Sequence, residues 1–253
     1  MSKRLTNFYE KFKFRKNNHK NKKSKAKIII SIICLVVFML ILFLIPKTRI
    51  SDEFKEYELY FVVAEYEIES NSLKNIIEQI EKYGGAGVLA DIGSYKNAAI
   101  IFAYNNKNDA EKILEGSKTI FEKSSVISIK TNKIDKKLQT KMQEVPKLAD
   151  VIKYIYDQKS VLSEALFKYE KGSISFNELY NEIYTFNEKI LEFRNSLKSY
   201  NDVVASLDNL LLHAKNFLDA SIKGEYSSKG MKKLCVNLFV EELKIKNTII
   251  ELF

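Results

Sequence analysis

The chain has 253 residues, 46% of them hydrophobic and 29% charged, with 41 Lys and Arg against 32 Asp and Glu, a formal net charge of +9. Two cysteines give no disulfide framework, so a folded exported region of this size would depend on core burial alone. Two histidines, His19 and His213, leave zinc ligation and the Ser-His-Asp and Cys-His nucleophile systems without support.

Residues 1–27 carry almost all of the charge excess. Lys3, Arg4, Lys11, Lys13, Arg15, Lys16, Lys20, Lys22, Lys23, Lys25 and Lys27 face the single acid Glu10, a charge of +10 that leaves −1 for everything after Lys27. The high isoelectric point is therefore a property of this tail. Lys22, Lys23, Lys25 and Lys27 are candidate contacts to anionic headgroups of a lipid bilayer, at about 1 kcal/mol per basic residue near the surface. Phe8, Tyr9, Phe12 and Phe14 interleave with the basic residues and can enter the interface. Nucleic acid is not expected as a partner, because the region after the tail is close to neutral.

Ile28 to Ile45 follow without a charge, and Pro46 marks their end. Eighteen helical residues span roughly 27 Å, near the thickness of bilayer hydrocarbon, so a single transmembrane helix over 28–45 is expected. The positive-inside rule places the tail in the cytoplasm and the rest outside, at the cell membrane. A cleaved signal peptide is the alternative, but Leu-Ile-Pro-Lys is a poor cleavage site.

After a charged linker over 46–56, residues 57–131 alternate between strand and helix patterns. Residues 57–66 read as a strand, and Ser70 or Asn71 can cap a helix carrying Leu73, Ile76, Ile77 and Ile80, which Gly84 and Gly85 stop. Residues 87–93 and 98–104 read as strands around a turn at 94–97. Asn106 can cap a helix with Ala110, Ile113, Leu114 and Ile120 on one face, and 125–130 closes the set. The order is βαββαβ, with a weak internal duplication, and suits a four-stranded sheet with both helices on one face.

Residues 145–253 read as an antiparallel four-helix bundle. Pro146 suits a first helical position, and Leu148, Ile155, Leu162 and Tyr169 repeat every seven residues. Ser175 and Glu178 form a capping-box pattern ahead of Phe176, Leu179, Ile183, Phe186, Ile190, Phe193 and Leu197. A third stripe holds Val203, Leu207, Leu210, Ala214 and Phe217, and a fourth holds Val236, Phe239, Val240, Leu243 and Ile250. Short connections favour an intramolecular bundle over an intermolecular coiled coil built on the same stripes.

No phosphate-cradling or dinucleotide loop is present, and Gly84-Gly85-Ala86-Gly87 follows a helix instead of opening one. The acid pairs Glu67/Glu69 and Glu241/Glu242 read as solvated surface before they read as a glycosidase pair. The expectation is a non-enzymatic protein without a cofactor or metal.

Residues 57–131 resemble the SPOR domain, a peptidoglycan-binding module of division and sporulation proteins. The resemblance rests on Leu59-Tyr60-Phe61-Val62-Val63-Ala64-Glu65-Tyr66 with Leu73 opening a helix, and on Asn97 to Tyr104 followed by Ala110. It implies a ferredoxin-type βαββαβ sandwich over 57–131; with the transmembrane helix before it and the helical bundle over 145–253 after it, the expected fold class is α+β. The resemblance also implies denuded glycan strands and division or sporulation proteins as partners at the septal or engulfing cell wall. The family's polar glycan positions match Val62 and Ile100, and its glycine positions match Ala64 and Phe102. Strand alternation puts Phe61, Val63, Ala99 and Ile101 against the helices and Tyr60, Val62, Tyr66, Ile100, Phe102 and Tyr104 on the opposite face. A face this apolar is not left in water. Either its aromatics stack on sugars, or the bundle or a partner covers it. Coverage is favoured, because Val62 and Ile100 cannot hydrogen-bond a sugar. The alternative function is a structural subunit of an envelope machine, a pilus or secretion assembly, that forms homo-oligomers.

Overall fold

A computed structural model describes residues 51–69, 72–145, 147–223 and 228–253. Aromatic and β-branched runs form β1 (Glu58–Glu65), β3 (Tyr95–Tyr104) and β4 (Ser125–Lys130), and β2 (Val88–Ile92) is a short edge strand. The sheet order is β2-β3-β1-β4, with every neighbouring pair antiparallel. Helices α1 (Leu73–Lys82) and α2 (Lys107–Ser117) connect β1 to β2 and β3 to β4. Both pack on one face, where Ile80 and Ala110 meet Val62, Ala64, Ala99 and Ile101.

Local chemistry sets the boundaries. The Asn106 side chain accepts a hydrogen bond from the Asn108 amide at 2.8 Å and starts α2. Gly84, at φ +86°, ends α1. A Cβ on Gly85 would stand 2.5 Å from Ile80 Cγ2, so only glycine lets the chain turn under β3 there. The turn between β2 and β3 is tighter than the 94–97 expected. Tyr95 is already in β3, and the reversal falls on Gly93 and Ser94. The candidate caps Ser70 and Asn71, like Pro146, lie outside the described residues.

Five helices follow. The first, α3 (Lys136–Gln143), was not expected, although Asp135 ahead of Leu138 and Met142 carries its signal. The Asp135 carboxylate accepts from the Leu138 amide at 2.8 Å, and Met142 is fully buried. Then come α4 (Leu148–Glu170), α5 (Phe176–Ser196), α6 (Asn201–Ile222) and α7 (Ser228–Leu252). The Ser175–Glu178 capping box is formed at the start of α5. The stripes of α4, α5 and α6, from Leu148 through Phe217, converge on one core. Those side chains pack against one another within the chain, with Tyr169 and Phe176 partly buried at the margin of that core.

Helix α7 is two-sided, with every residue from Leu234 to Leu243 buried. Leu234, Cys235, Leu238, Ile245 and Ile249 enter the bundle core, whereas Val236, Phe239, Val240 and Leu243 lie on the sheet. The stripe read from sequence is thus the sheet-facing one, apart from Ile250, which is partly exposed. A helix apolar on two sides belongs between two layers. Here it lies between the sheet and the other bundle helices, within one compact unit.

The expected fold class requires correction. The described residues form an α+β structure with a four-stranded antiparallel sheet and seven helices. None of those helices is long and apolar enough to cross a membrane, because each long one carries charge along its outer face, as Asp150, Lys153 and Asp157 do on α4. The span expected over 28–45, and the headgroup contacts Lys22, Lys23, Lys25 and Lys27, lie outside the described residues. The sheet over 57–131 and the helices over 145–253 share α7 within one compact unit. Glu241 and Glu242, read as solvated, are only 1% and 2% exposed, because the helix that carries them is enclosed.

Candidate functional site

The six residues assigned to one sheet face do not share it. On β1 the alternation runs opposite to the expectation. Leu59, Phe61 and Val63 pack with α7, while Tyr60, Val62 and Ala64 face α1 and α2. On β3, Ile100 packs towards α7 and Ala99 and Ile101 towards α1 and α2. The register explains the split. Val62 pairs with Phe102 but Val63 pairs with Ile100, so β3 carries an extra residue at this point; β1 carries a compensating one before Glu65. Phe102 and Ala103 consequently both sit on the α7 side, and Tyr104 returns to the α1–α2 side. Tyr66 ends up beyond β1, 40% exposed and edge-on to Tyr95 with ring centroids 5.0 Å apart.

The sheet face opposite α1 and α2 is covered. Phe239 of α7 meets Phe61 edge-on at 6.5 Å, and Phe61, Val63 and Ile100 have no exposed surface. No sugar ring can stack there while α7 is seated.

Phe102 and Tyr104 instead open into a groove of about 840 Å³ at the end of the sheet. One wall is a face of α2, with Asp109, Lys112, Ile113 and Gly116 at helical spacing, followed by Ile120 and Phe121. The other wall is α4, with Ser163, Leu166, Phe167 and Glu170. Tyr83, Gly84 and Gly85 close one end. Tyr83 and Phe167 are 57% and 55% exposed, and Ile113 and Ile120 also reach solvent, which is a dense apolar cluster for a surface. Charges at the rim neutralise one another: Lys112 pairs with Asp109 at 3.0 Å, Lys232 with Glu170 at 2.8 Å and Lys168 with Glu164 at 2.8 Å. Lys232 also donates to the Gly84 carbonyl at 3.1 Å. Burial, with the nearby carboxylates of Asp109 and Glu170, pushes the Tyr104 hydroxyl up to about 12. The phenol is therefore neutral at ordinary pH.

A second feature lies between the sheet and the bundle. Lys159 of α4 and Lys246 of α7 are fully buried around the single carboxylate of Glu242. Lys159 pairs with Glu242 and donates to the Tyr57 hydroxyl at 3.2 Å and to Asn105 Oδ1 at 3.3 Å. The Tyr57 hydroxyl donates to Glu242. Lys246 Nζ lies 3.7 Å from Glu242 Oε1 and 4.2 Å from the centre of the Tyr57 ring, without a hydrogen-bond acceptor. Burial lowers the pKa of both lysines, and burial with the Glu242 charge raises that of Tyr57. Tyr57, Asn105 and Tyr156 also line an open pocket of about 680 Å³, which Tyr60 borders. Composition gave no sign of this cluster. A Lys or Glu in a helix is read as surface until the partner layer is known.

Beyond the cluster, α1 is pinned to α7. Partial burial alone would raise the Glu81 carboxyl, but the ammonium groups of Lys229 and Lys233 hold it below the usual carboxylate range. On the other side of α7, Asn209 donates to Glu241 at 2.7 Å and Lys244 pairs with it at 2.8 Å. His213 borders that site beside the β2 edge, and burial together with Lys233 lowers its pKa.

No family model, no curated protein and no solved structure matches this chain.

Proposed function

We propose that this chain is a non-enzymatic binding protein of the bacterial cell envelope that acts at the septal or engulfing wall through protein contact. One observation carries the reading. The sheet face that a SPOR-like glycan site would use is filled by α7, whereas the groove between α2 and α4 keeps aromatic and aliphatic side chains in solvent. Two helix faces form its walls, and the rim charges cancel. A neutral, apolar helix face of a partner protein fits these walls better than a charged or sugar ligand does.

The test is a fluorescent fusion of the full chain in dividing and sporulating cells, beside Phe167→Glu with Tyr83→Ser. Both side chains are more than half exposed, so the double variant is expected to stay within about 1 kcal/mol of the parent in stability. The parent is expected to concentrate at septa and the variant to spread evenly. Septal enrichment of the variant, or an even distribution of the parent, sinks the proposal. Purified parent that pellets with isolated sacculi would move the function back to glycan.

Location at the cell membrane belongs to the same proposal. Its support is the uncharged run 28–45 behind the eleven basic residues of the tail. The full chain is expected in the membrane pellet and should remain there in 1 M salt, where the screening length falls to about 3 Å. Release by salt would reduce the attachment to headgroup attraction by the tail.

A further inference from the structure

The layers meet at Lys159, Glu242 and Lys246, and this meeting point is built differently from the rest of the core. Five segments contribute: the turn at Asp52–Phe54, the residue before β1, the residue after β3, α4 and α7. Lys246 faces Glu242 on its own helix, Tyr57 just ahead of β1, Lys159 of α4 and the buried Glu53 of the first turn. Tyr156 of α4 lies on the far side of Lys159, with its ring centre 4.9 Å from Nζ. Glu242 is shared between two ammonium groups, and the shorter contact goes to Lys159. Lys246 is left with a 3.7 Å contact, an aromatic face and no acceptor.

We propose that the seam between the sheet and α7 is a proton-coupled latch, in which Lys246 gives up its proton to solvent as the seam closes tightly. The proton balance is simple: opening hydrates the ammonium and keeps it charged, and closing favours the neutral amine, which packs on the Tyr57 ring and leaves Glu242 to Lys159. Burial together with Lys159 brings the Lys246 pKa down to about 8 although Glu242 opposes the shift, so the exchange falls close to neutral pH. The sign follows from linkage. The folded pKa lies below the ordinary lysine value of 10.5, so the open state holds more protons between about pH 8 and 10.5, and closure strengthens as pH rises through that window. The Tyr57 hydroxyl, whose pKa is raised, acts in the opposite sense only above about pH 10. The latch thus couples proton concentration to exposure of Phe61, Val63 and Ile100, the apolar face that α7 covers.

Hydrogen exchange of the full chain tests this, with intrinsic rates corrected for pH. Protection of the amides around Tyr57–Val63 and Phe239–Lys246 is expected to rise about tenfold between pH 7 and pH 9, the change one group titrating near 8 produces. In Lys246→Met the protection should be high at both pH values. In Lys246→Arg, which stays charged, it should be low at both. An unchanged parent between pH 7 and pH 9 overturns the latch, as does a Lys246→Met variant that keeps the parent's slope. If Lys246→Met does not fold, the parent and Lys246→Arg still decide the matter.

Discussion

Glu242→Gln is expected to destabilise the folded chain by about 3–5 kcal/mol, because it removes the carboxylate that both buried ammonium groups pair with. Lys246→Met is expected to be neutral or to stabilise by roughly 1–4 kcal/mol, since it removes the charge with the poorer contact and keeps a side chain of similar length. Urea denaturation of both variants beside the parent checks this. For a chain of this size about 1 kcal/mol moves the thermal midpoint by roughly 2–4 °C, so the two variants should fall on opposite sides of the parent or bracket it widely. Equal destabilisation by both would mean that Lys246 is a satisfied structural lysine. The contrast between them matters more than either magnitude.

Phe239→Ala is expected to cost about 3–5 kcal/mol through lost burial and the cavity left behind. Phe239 touches Phe61 on the sheet, and its ring also lies 5.1 Å from Lys159 Nζ, so truncation loosens the apolar seam and the ion cluster together. Unfolding of the variant should remain a single transition seen alike by far-ultraviolet circular dichroism and by tyrosine fluorescence, because α7 is common to both cores. Two separated transitions would show that the sheet and bundle are independent and that α7 is a loose cover.

The order of strands and helices was legible because each element carries its own punctuation. Asn106, Gly84–Gly85 and the Ser175–Glu178 pair act within one turn of chain, and the heptad stripes of α4 to α6 report one buried side each. The strand faces were not legible. Residues 59–64 read Leu-Tyr-Phe-Val-Val-Ala, apolar at both parities, because helices cover both sides of the sheet. A strand buried on both faces loses the period-two signal that assigns its sides. Aligning β1 and β3 by motif also assumed equal phase, and a single extra residue in β3 is enough to turn every later side chain over. The ion cluster was hidden for a related reason. Lys159, Glu242 and Lys246 occupy helix positions where charge means solvent in a two-layer bundle, and only a third layer makes them interior.

The place of α7 in the chain has a consequence for biosynthesis. Among the described residues, four strands and six helices are made before it, yet it supplies the middle of the structure. At roughly 5–20 residues per second, the earlier elements exist for many seconds with the apolar faces of both sheet and bundle uncovered. Helices α4 to α6 can pair early through contacts near in sequence, whereas the sheet waits for residues nearly two hundred positions away, as Tyr57 does for Glu242. The nascent chain should therefore lean on chaperones until this one helix arrives, and damage to it should reach the cell first as lost solubility.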